Sequence, residues 1–160
     1  MSDLASTMTG VYFASLQVGT LLAVQSVGSA AWPTYAGLTA AWLAGTLVGL
    51  WLPLPRRAAI AAGLLAFEAM IALTRLWPWS RALVPVAALS IAIGGLWAGG
   101  FFTSAARRGK DRSVFFDENN GFLLGLVVTT VAFAFAGRGG LAALTLVTGG
   151  ALFGLERTTS

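Results

Sequence analysis

Six long apolar stretches follow one another through this 160-residue chain, and each approaches the length that a helix needs to cross a lipid bilayer. They lie near residues 10–31, 34–52, 58–76, 82–105, 115–136 and 139–155, separated by prolines, glycines or charged residues. A membrane-spanning helix requires about 20 mostly apolar residues. The pattern predicts an all-α membrane protein, a bundle of six transmembrane helices in a single integral membrane domain covering residues 1–160.

The composition excludes an ordinary water-soluble globule. Residues of the set AVILMFWYC make up 57% of the chain and charged residues only 10%, whereas soluble domains carry about 25% charged residues. A soluble fold would need polar side chains that this chain does not have to cover its surface. Six spans of about 20 residues also leave only short connections, so we expect sequential helices to run antiparallel and beside one another.

Two absent residue types narrow the chemistry. The chain contains no histidine and no cysteine, the commonest ligands of zinc, copper, haem and iron–sulfur clusters and common members of nucleophilic sites. We therefore expect no cofactor, no metal site and no catalytic residues, and we predict that the protein is not an enzyme. The formal charge of +4 does not indicate a nucleic-acid partner, because the basic residues lie between apolar stretches, where they act as topology signals.

The distribution of basic residues predicts the orientation in the membrane. With six spans, one side of the bilayer would hold seven basic residues and the other side three. Basic residues are concentrated in cytoplasmic loops, so we expect a multi-pass protein of the cell inner membrane with both termini in the cytoplasm. The seven are Arg56, Arg57, Arg107, Arg108, Lys110, Arg112 and Arg157, and the three are Arg75, Arg81 and Arg138.

Four spans contain two glycines four residues apart, a spacing that places both on one helix face. Helices in lipid associate where small residues let their backbones approach. We therefore expect these pairs to serve packing inside the bundle in preference to dimerisation. The pairs are Gly45/Gly49, Gly95/Gly99, Gly121/Gly125 and Gly150/Gly154.

The six tryptophans occupy two kinds of position. Four lie at predicted span ends, where an indole ring favours the level of the lipid headgroups. Two lie deeper and could pack between helices or face a partner. The four are Trp32, Trp51, Trp77 and Trp79, and the two are Trp42 and Trp97.

Glu68 lies near the middle of the third predicted span, where an ionised acid costs about 2.5–3.5 kcal/mol on insertion scales. Arg75 is seven residues further on and lies on a similar helical face. Two interpretations stay open. Glu68 is either a proton or cation site, or a buried hydrogen-bonding residue that fixes helix packing.

A dense polar cluster stands between a basic loop and the fifth span. One interpretation is helix capping, since Asp and Asn cap free N–H groups and the helix dipole favours carboxylates at an N-terminus. The other is a gate or docking surface in which Glu118 pairs with an arginine of the preceding loop. The cluster contains Asp117, Glu118, Asn119 and Asn120, and the basic residues expected to contact lipid or a partner are Arg107, Arg108, Lys110 and Arg112.

Two glutamines in the first span are further candidates for a polar or packing site. Gln17 and Gln25 are eight residues apart, about 80° around an ideal helix, so they lie on adjoining parts of one side. Amides at such positions most often bond to a neighbouring helix. They could also line a polar path.

Several segments resemble the transmembrane half of the membrane-fused spermidine-synthase-like proteins, whose spans are similar to one six-helix half of a major-facilitator transporter. The segments are Gln25, Gly28-Ser29, Tyr35, the run Leu43-Ala-Gly45-Thr-Leu-Val-Gly49 before Arg56-Arg57, and Glu118-Asn-Asn-Gly121-Phe-Leu-Leu-Gly125. The family's aminopropyltransferase domain has no counterpart here, so the resemblance implies a fold and not that activity. It also implies a pseudo-repeat of three plus three helices.

These observations lead to two functional hypotheses. The first is a non-catalytic integral subunit or scaffold that packs in the lipid bilayer against other integral membrane subunits or against itself. The alternative is a small transporter of cations or polyamines, formed by two copies that act as the two halves, with Glu68 and Glu118 as binding sites.

Overall fold

The computed structural model describes residues 3–28, 31–52, 54–107 and 111–155, which form five α-helices. Segments of four of them, all except the second, are long and apolar enough to cross a membrane. The part of the chain that the structure describes is therefore all-α, as the sequence predicts. The helices are α1 (Asp3–Val27), α2 (Trp32–Trp51), α3 (Arg56–Leu76), α4 (Leu83–Arg107) and α5 (Asp111–Leu155).

The prediction of a six-helix bundle is wrong, because the stretches 115–136 and 139–155 both belong to α5, a single element of 45 residues. The backbone of α5 leaves helical geometry at Gly137 (φ 55°, ψ −142°). The chain folds back there, since a Cβ on Gly140 would collide with the carbonyl oxygen of Ala132, whereas eight residues of straight helix span about 12 Å. With five helices, the three-plus-three repeat loses its basis.

The physical reason for this error is that the chain reverses direction at one residue. Glycine has no Cβ and adopts positive φ at little cost, so Gly137 replaces the loop that hydropathy alone leads one to expect. The part of α5 before Gly137 is called the N-arm below, and the part after it the C-arm.

Prolines mark the helix boundaries as the sequence predicts. Pro33 lies in the first turn of α2, and Pro55 is the N-cap residue of α3. Pro78 follows the last residue of α3 by two positions, and Pro85 lies in the first turn of α4. Proline is tolerated at such positions because its missing N–H has no helical partner there. Pro53 lies outside the described residues.

The helices alternate in direction, so the bundle has two distinct ends. Helices α1, α3 and the N-arm run one way, and α2, α4 and the C-arm run the other way, as the order of their contacts along each helix shows. One end, called the terminal end below, contains the first residues of α1, α3 and α5 and the last residues of α2, α4 and α5. The end called the turn end contains Gly137 and the connections that follow α1 and α3.

The helices that pack most closely are not neighbours in sequence. α1 packs chiefly against α5, and α2 chiefly against α4, while α2 only lightly touches α1. The expected antiparallel order is present, but the expectation that sequential helices lie beside one another is wrong for these elements. A short loop fixes only the ends of two helices, and the glycine faces decide which helices meet along their length.

Three of the four glycine pairs bring helix backbones into contact, as predicted. A Cβ on Gly45 or Gly49 of α2 would collide with the backbone of α4, and a Cβ on Gly95 or Gly99 would collide with the backbone of α2. Likewise, Gly121 of the N-arm lies against the backbone of α1. The fourth pair, Gly150/Gly154, lies in the C-arm and has no atom within 4 Å of either Cβ position.

An aromatic cluster fills the space between α1, α2 and α4. Trp42 and Phe101 lie on Phe13 at ring-centroid distances of 5.6 Å and 5.9 Å, both edge to face. Trp97 lies 6.0 Å from Phe101 and is itself buried. The two deeper tryptophans therefore pack between helices. The tryptophans predicted at span ends are all exposed, at positions 32, 51, 77 and 79.

Candidate functional site

Buried polar side chains follow the face of α1 that meets α3 and the C-arm. The Tyr12 hydroxyl is fully buried and donates a hydrogen bond of 2.9 Å to the carbonyl oxygen of Ile60. Three residues further along α1, the hydroxyl of Ser15 lies 3.5 Å from that of Thr148. These two contacts join α1 to α3 and to the C-arm at the centre of the bundle.

Sequence analysis missed Tyr12, because it stands in an apolar run that is typical of a membrane-spanning helix. Ser15 begins a small-residue pattern with Gly19 and Ala23 that predicts packing. This pattern does not predict the contact of Ser15 with Thr148. A signal was nevertheless present in the spacing. Thr9, Tyr12 and Ser15 recur at intervals of three, which places them along one helical face, and all three are buried.

Glu68 lies on α3, close enough to Tyr12 and Arg75 for its carboxyl group to interact electrostatically with both side chains. Its side chain is half-buried, and its Oε1 atom is buried with no hydrogen-bond partner. A buried oxygen in this state can still accept a hydrogen bond or bind a proton. This geometry leaves both interpretations of Glu68 in place as predictions.

Glu118 is buried, and the polar residues beside it are less so: Asp117 is half-buried, while Asn119 and Asn120 are exposed. A Cβ on Gly10 of α1 would collide with the main-chain carbonyl of Glu118. The cluster begins at Asp117, six residues after Asp111, the first residue of α5. It therefore lies within the helix and not at its cap, contrary to the capping interpretation.

The structure does not bring Glu68 and Glu118 into one site. α3 packs against Tyr12 and Gly19 of α1, and the N-arm packs against Thr7 and Gly10. Residues 10 and 12 point about 200° apart on a helix, so the two glutamates belong to elements on opposite sides of α1.

The two glutamines are not equivalent. Gln17 is half-buried, whereas Gln25, near the turn end, is exposed. The packing role expected for the amides is therefore open only to Gln17 within the bundle.

A cavity of about 500 Å³ lies at the terminal end of the bundle. Two basic residues, Arg56 and Arg107, line it. Arg112 instead lines an apolar groove with Phe102 and Phe115, and Arg108 and Lys110 lie outside the described residues. The hypothesised pairing of Glu118 with an arginine of this loop stays a prediction.

Among the residues that the structure describes, no three acidic side chains come together in a group that could hold a metal ion. Several buried hydroxyl groups donate to carbonyl oxygens of their own helices, as Thr145 does to Leu141 and Thr74 to Ile71. These groups satisfy their hydrogen-bonding needs locally. Other buried polar atoms have no hydrogen-bond partner: they belong to Thr20, Ser90, Trp97, Thr129 and Glu68. Glu68 is the ionisable side chain among them, and the arginines at the terminal end are the other candidates for binding chemistry.

Comparisons with protein-family models, with curated proteins and with solved structures find no match for this chain. The structure itself gives the class: candidate membrane-spanning helices in an all-α fold are the features of a helical membrane protein. The resemblance to the transmembrane half of spermidine-synthase-like proteins stays a prediction.

Proposed function

We propose that this protein is a non-catalytic integral membrane subunit that packs against a helix of another membrane protein. The observation that carries the proposal is the open face of α5. In an apolar segment of 18 residues within α5, only 17% of the residues are buried, against 67% in the corresponding segment of α1. α5 packs against α1 on one side, and much of this apolar segment is therefore available to lipid or to a partner.

The Gly150/Gly154 pair supports a partner on this face. The same spacing brings backbones together in α2 and α4, so this chain uses it as a helix-packing surface. In the C-arm the pair is exposed and no atom lies within 4 Å of either Cβ position. Leu146 and Val147, which are also exposed, extend the apolar surface beside it.

Purification in mild detergent tests this proposal. A tagged chain should elute with a larger membrane assembly, and recovery only as a monomer would count against a subunit role. The variant Gly150→Leu places a bulky side chain on the open face, so it should release the partner while the bundle itself stays folded.

Gly37→Leu is the matched control, since Gly37 is also an open glycine on an exposed helix face, but in α2. It should keep the partner. Equal retention by both variants would show that the assembly uses another surface.

The proposed topology places both termini and the basic terminal end in the cytoplasm, in the cell inner membrane. The support is the predicted excess of basic residues at that end, seven against three, in agreement with the positive-inside rule. Because the chain contains no cysteine, single-cysteine variants provide a direct test.

Ala82 and Ala106 are exposed residues near the turn end and the terminal end, respectively. In intact cells, a membrane-impermeant maleimide should label Ala82→Cys and should not label Ala106→Cys until the cells are opened. Labelling of Ala106→Cys from outside would reverse the proposed orientation.

A second candidate function is a small transporter of cations or polyamines built from two copies. The observation that favours it is the buried, unpartnered Oε1 atom of Glu68, because ionisable groups in membrane interiors often mark ion pathways. It rests on Glu68 alone, since Glu118 lies on the other side of α1.

Reconstituted vesicles distinguish the two functions. In the transporter, Glu68→Gln should abolish uptake of labelled spermidine while the unfolding temperature stays close to that of the wild type. If wild-type vesicles accumulate no cationic substrate, or if the variant is merely unstable, the transporter hypothesis is lost.

A further inference from the structure

The cavity of about 500 Å³ at the terminal end lies where the last turns of α2 and α4 meet the start of α3. Its volume falls within the range of about 300–1,000 Å³ that is common for small-molecule sites. Trp51, Arg56, Thr103, Ser104 and Arg107 contribute to its lining. The cavity therefore combines side chains from three helices and brings the junction of α2 and α3 together with the distant end of α4.

Arginine is the chemistry that sets this cavity apart. Arg56 comes from the first residue of α3 and Arg107 from the last residue of α4, and both line the cavity. The neighbouring Arg57 has another role, since its guanidinium lies over the ring of Phe153 at 5.5 Å from the centroid. Two guanidinium groups around one cavity favour an anion, and their planar forks match phosphate and carboxylate oxygens.

The hydroxyl groups in the lining do not change this preference. Thr103 donates to the carbonyl oxygen of Gly99 at 3.0 Å, and Ser104 donates to that of Gly100 at 2.8 Å. Because both protons are used within α4, the charged donors in the lining are the guanidinium groups of the arginines, and the indole N–H of Trp51 is a further, neutral donor. The N-terminus of α3, which has no side-chain cap, adds a favourable field for negative charge.

The position of the cavity, beside the end of α2, indicates which kind of anion it binds. Trp51 ends α2 and is 87% exposed, as expected for an indole at the level of the lipid headgroups. Basic pockets between transmembrane helices at this level bind anionic headgroups. We propose that this cavity binds an anionic phosphate group, supplied by a phospholipid headgroup or by a free phosphate compound.

The first experiment uses the detergent-purified chain and three probes: phosphatidylglycerol, phosphatidylcholine and inorganic phosphate. A ligand of the native state raises the unfolding temperature by mass action. Phosphatidylglycerol should raise it more than phosphatidylcholine at the same lipid-to-detergent ratio. If inorganic phosphate alone reproduces the shift, a free phosphate compound is the source; if it does not, the source is the lipid. Equal shifts with the two lipids, together with no shift from inorganic phosphate, overturn the proposal.

Matched variants locate the site. The double variant Arg56→Gln/Arg107→Gln should require about tenfold more of the effective probe for the half-maximal shift, given the loss of two basic contacts. The double variant Arg57→Gln/Arg112→Gln removes the same charge from the same end, outside this cavity, and should behave as the wild type. Equal weakening by both double variants would show a diffuse charge effect and overturn the site.

A measurement on the wild type covers the case in which the first double variant does not fold. Hydrogen exchange in the presence of the effective probe should slow in peptides that cover 49–56 and 100–107, and should stay unchanged around Gly137. Protection elsewhere, without protection of these two segments, overturns the proposal.

Discussion

The guanidinium of Arg138 donates a hydrogen bond from Nη1 to the main-chain carbonyl of Thr74, and this contact joins the turn of α5 to the end of α3. The residue four positions after Thr74 is Pro78, which has no N–H. The Thr74 carbonyl therefore cannot accept the usual helical hydrogen bond. Arg138 supplies the missing donor and places a positive charge at the C-terminal end of the α3 dipole.

Replacing Arg138 by glutamine should destabilise the bundle. The shorter side chain leaves the Thr74 carbonyl without its donor, and an unsatisfied buried acceptor costs about 1–3 kcal/mol. Thermal unfolding in detergent, followed by the loss of helical circular dichroism, measures the effect. Arg81→Gln is the control, since Arg81 is an exposed arginine near the same end of the bundle. Equal stability of the two variants would contradict this role for Arg138.

Adjacent glycines in α4 allow a matched test of backbone packing. A Cβ on Gly99 would collide with the carbonyl of Thr46, whereas a Cβ on Gly100 would have no atom within 4 Å. Gly99→Ala should therefore lower the free energy of unfolding by about 1–3 kcal/mol through overpacking. Denaturant titration with sodium dodecyl sulfate measures this change.

Gly100→Ala should leave the stability unchanged or raise it by about 0.5–1 kcal/mol, because alanine is the better helix former. A similar loss in both variants would mean that α2 and α4 do not meet at Gly99.

The sequence predicts helix faces well and helix partners poorly. The Gly45/Gly49 spacing identifies a packing face, but it does not specify α4, since the same face could join two copies of the chain. Pro78 similarly predicts an orphan carbonyl at Thr74 without indicating that Arg138 lies beside it. Such pairings depend on the three-dimensional arrangement of segments that are distant in sequence.

In the candidate site, too, the sequence indicates single residues but not the contacts between them. Glu68 could be recognised because an acid is unusual at membrane depth. The hydrogen bond from Tyr12 to Ile60 could not, because a tyrosine in an apolar run is equally compatible with a ring at the bilayer surface. The cavity at the terminal end also escaped the sequence analysis, since Arg56 and Arg107 are 51 positions apart and only the fold brings them together.

The turn at Gly137 should not tolerate a side chain. Its φ of 55° and ψ of −142° lie in a region that is essentially restricted to glycine, where other residues carry about 1–3 kcal/mol of strain. Gly137→Ala should lower the unfolding temperature even though no atom lies within 4 Å of the added Cβ. The control is Gly150→Ala, which is equally open but helical and should be neutral or slightly stabilising.

Two phenylalanines distinguish packing inside the bundle from packing against a partner. Phe13 is buried among Trp42 and Phe101, so Phe13→Ala should lower the free energy of unfolding of the isolated chain by about 3–5 kcal/mol. Phe135 in the N-arm is 89% exposed, and Phe135→Ala should change that free energy by less than about 0.5 kcal/mol.

Phe135→Ala, which should hardly affect the stability of the isolated chain, should have a clear effect on the yield of the native assembly. If the open face of α5 meets a partner, Phe135→Ala should reduce the yield of the larger assembly from membranes, because an exposed aromatic ring is a strong anchor in an interface. Its yield relative to the amount of folded chain, measured by size-exclusion chromatography, separates this loss from unfolding. An unchanged ratio would assign Phe135 to lipid and limit any partner surface to the C-arm, where Gly150→Leu tests it separately.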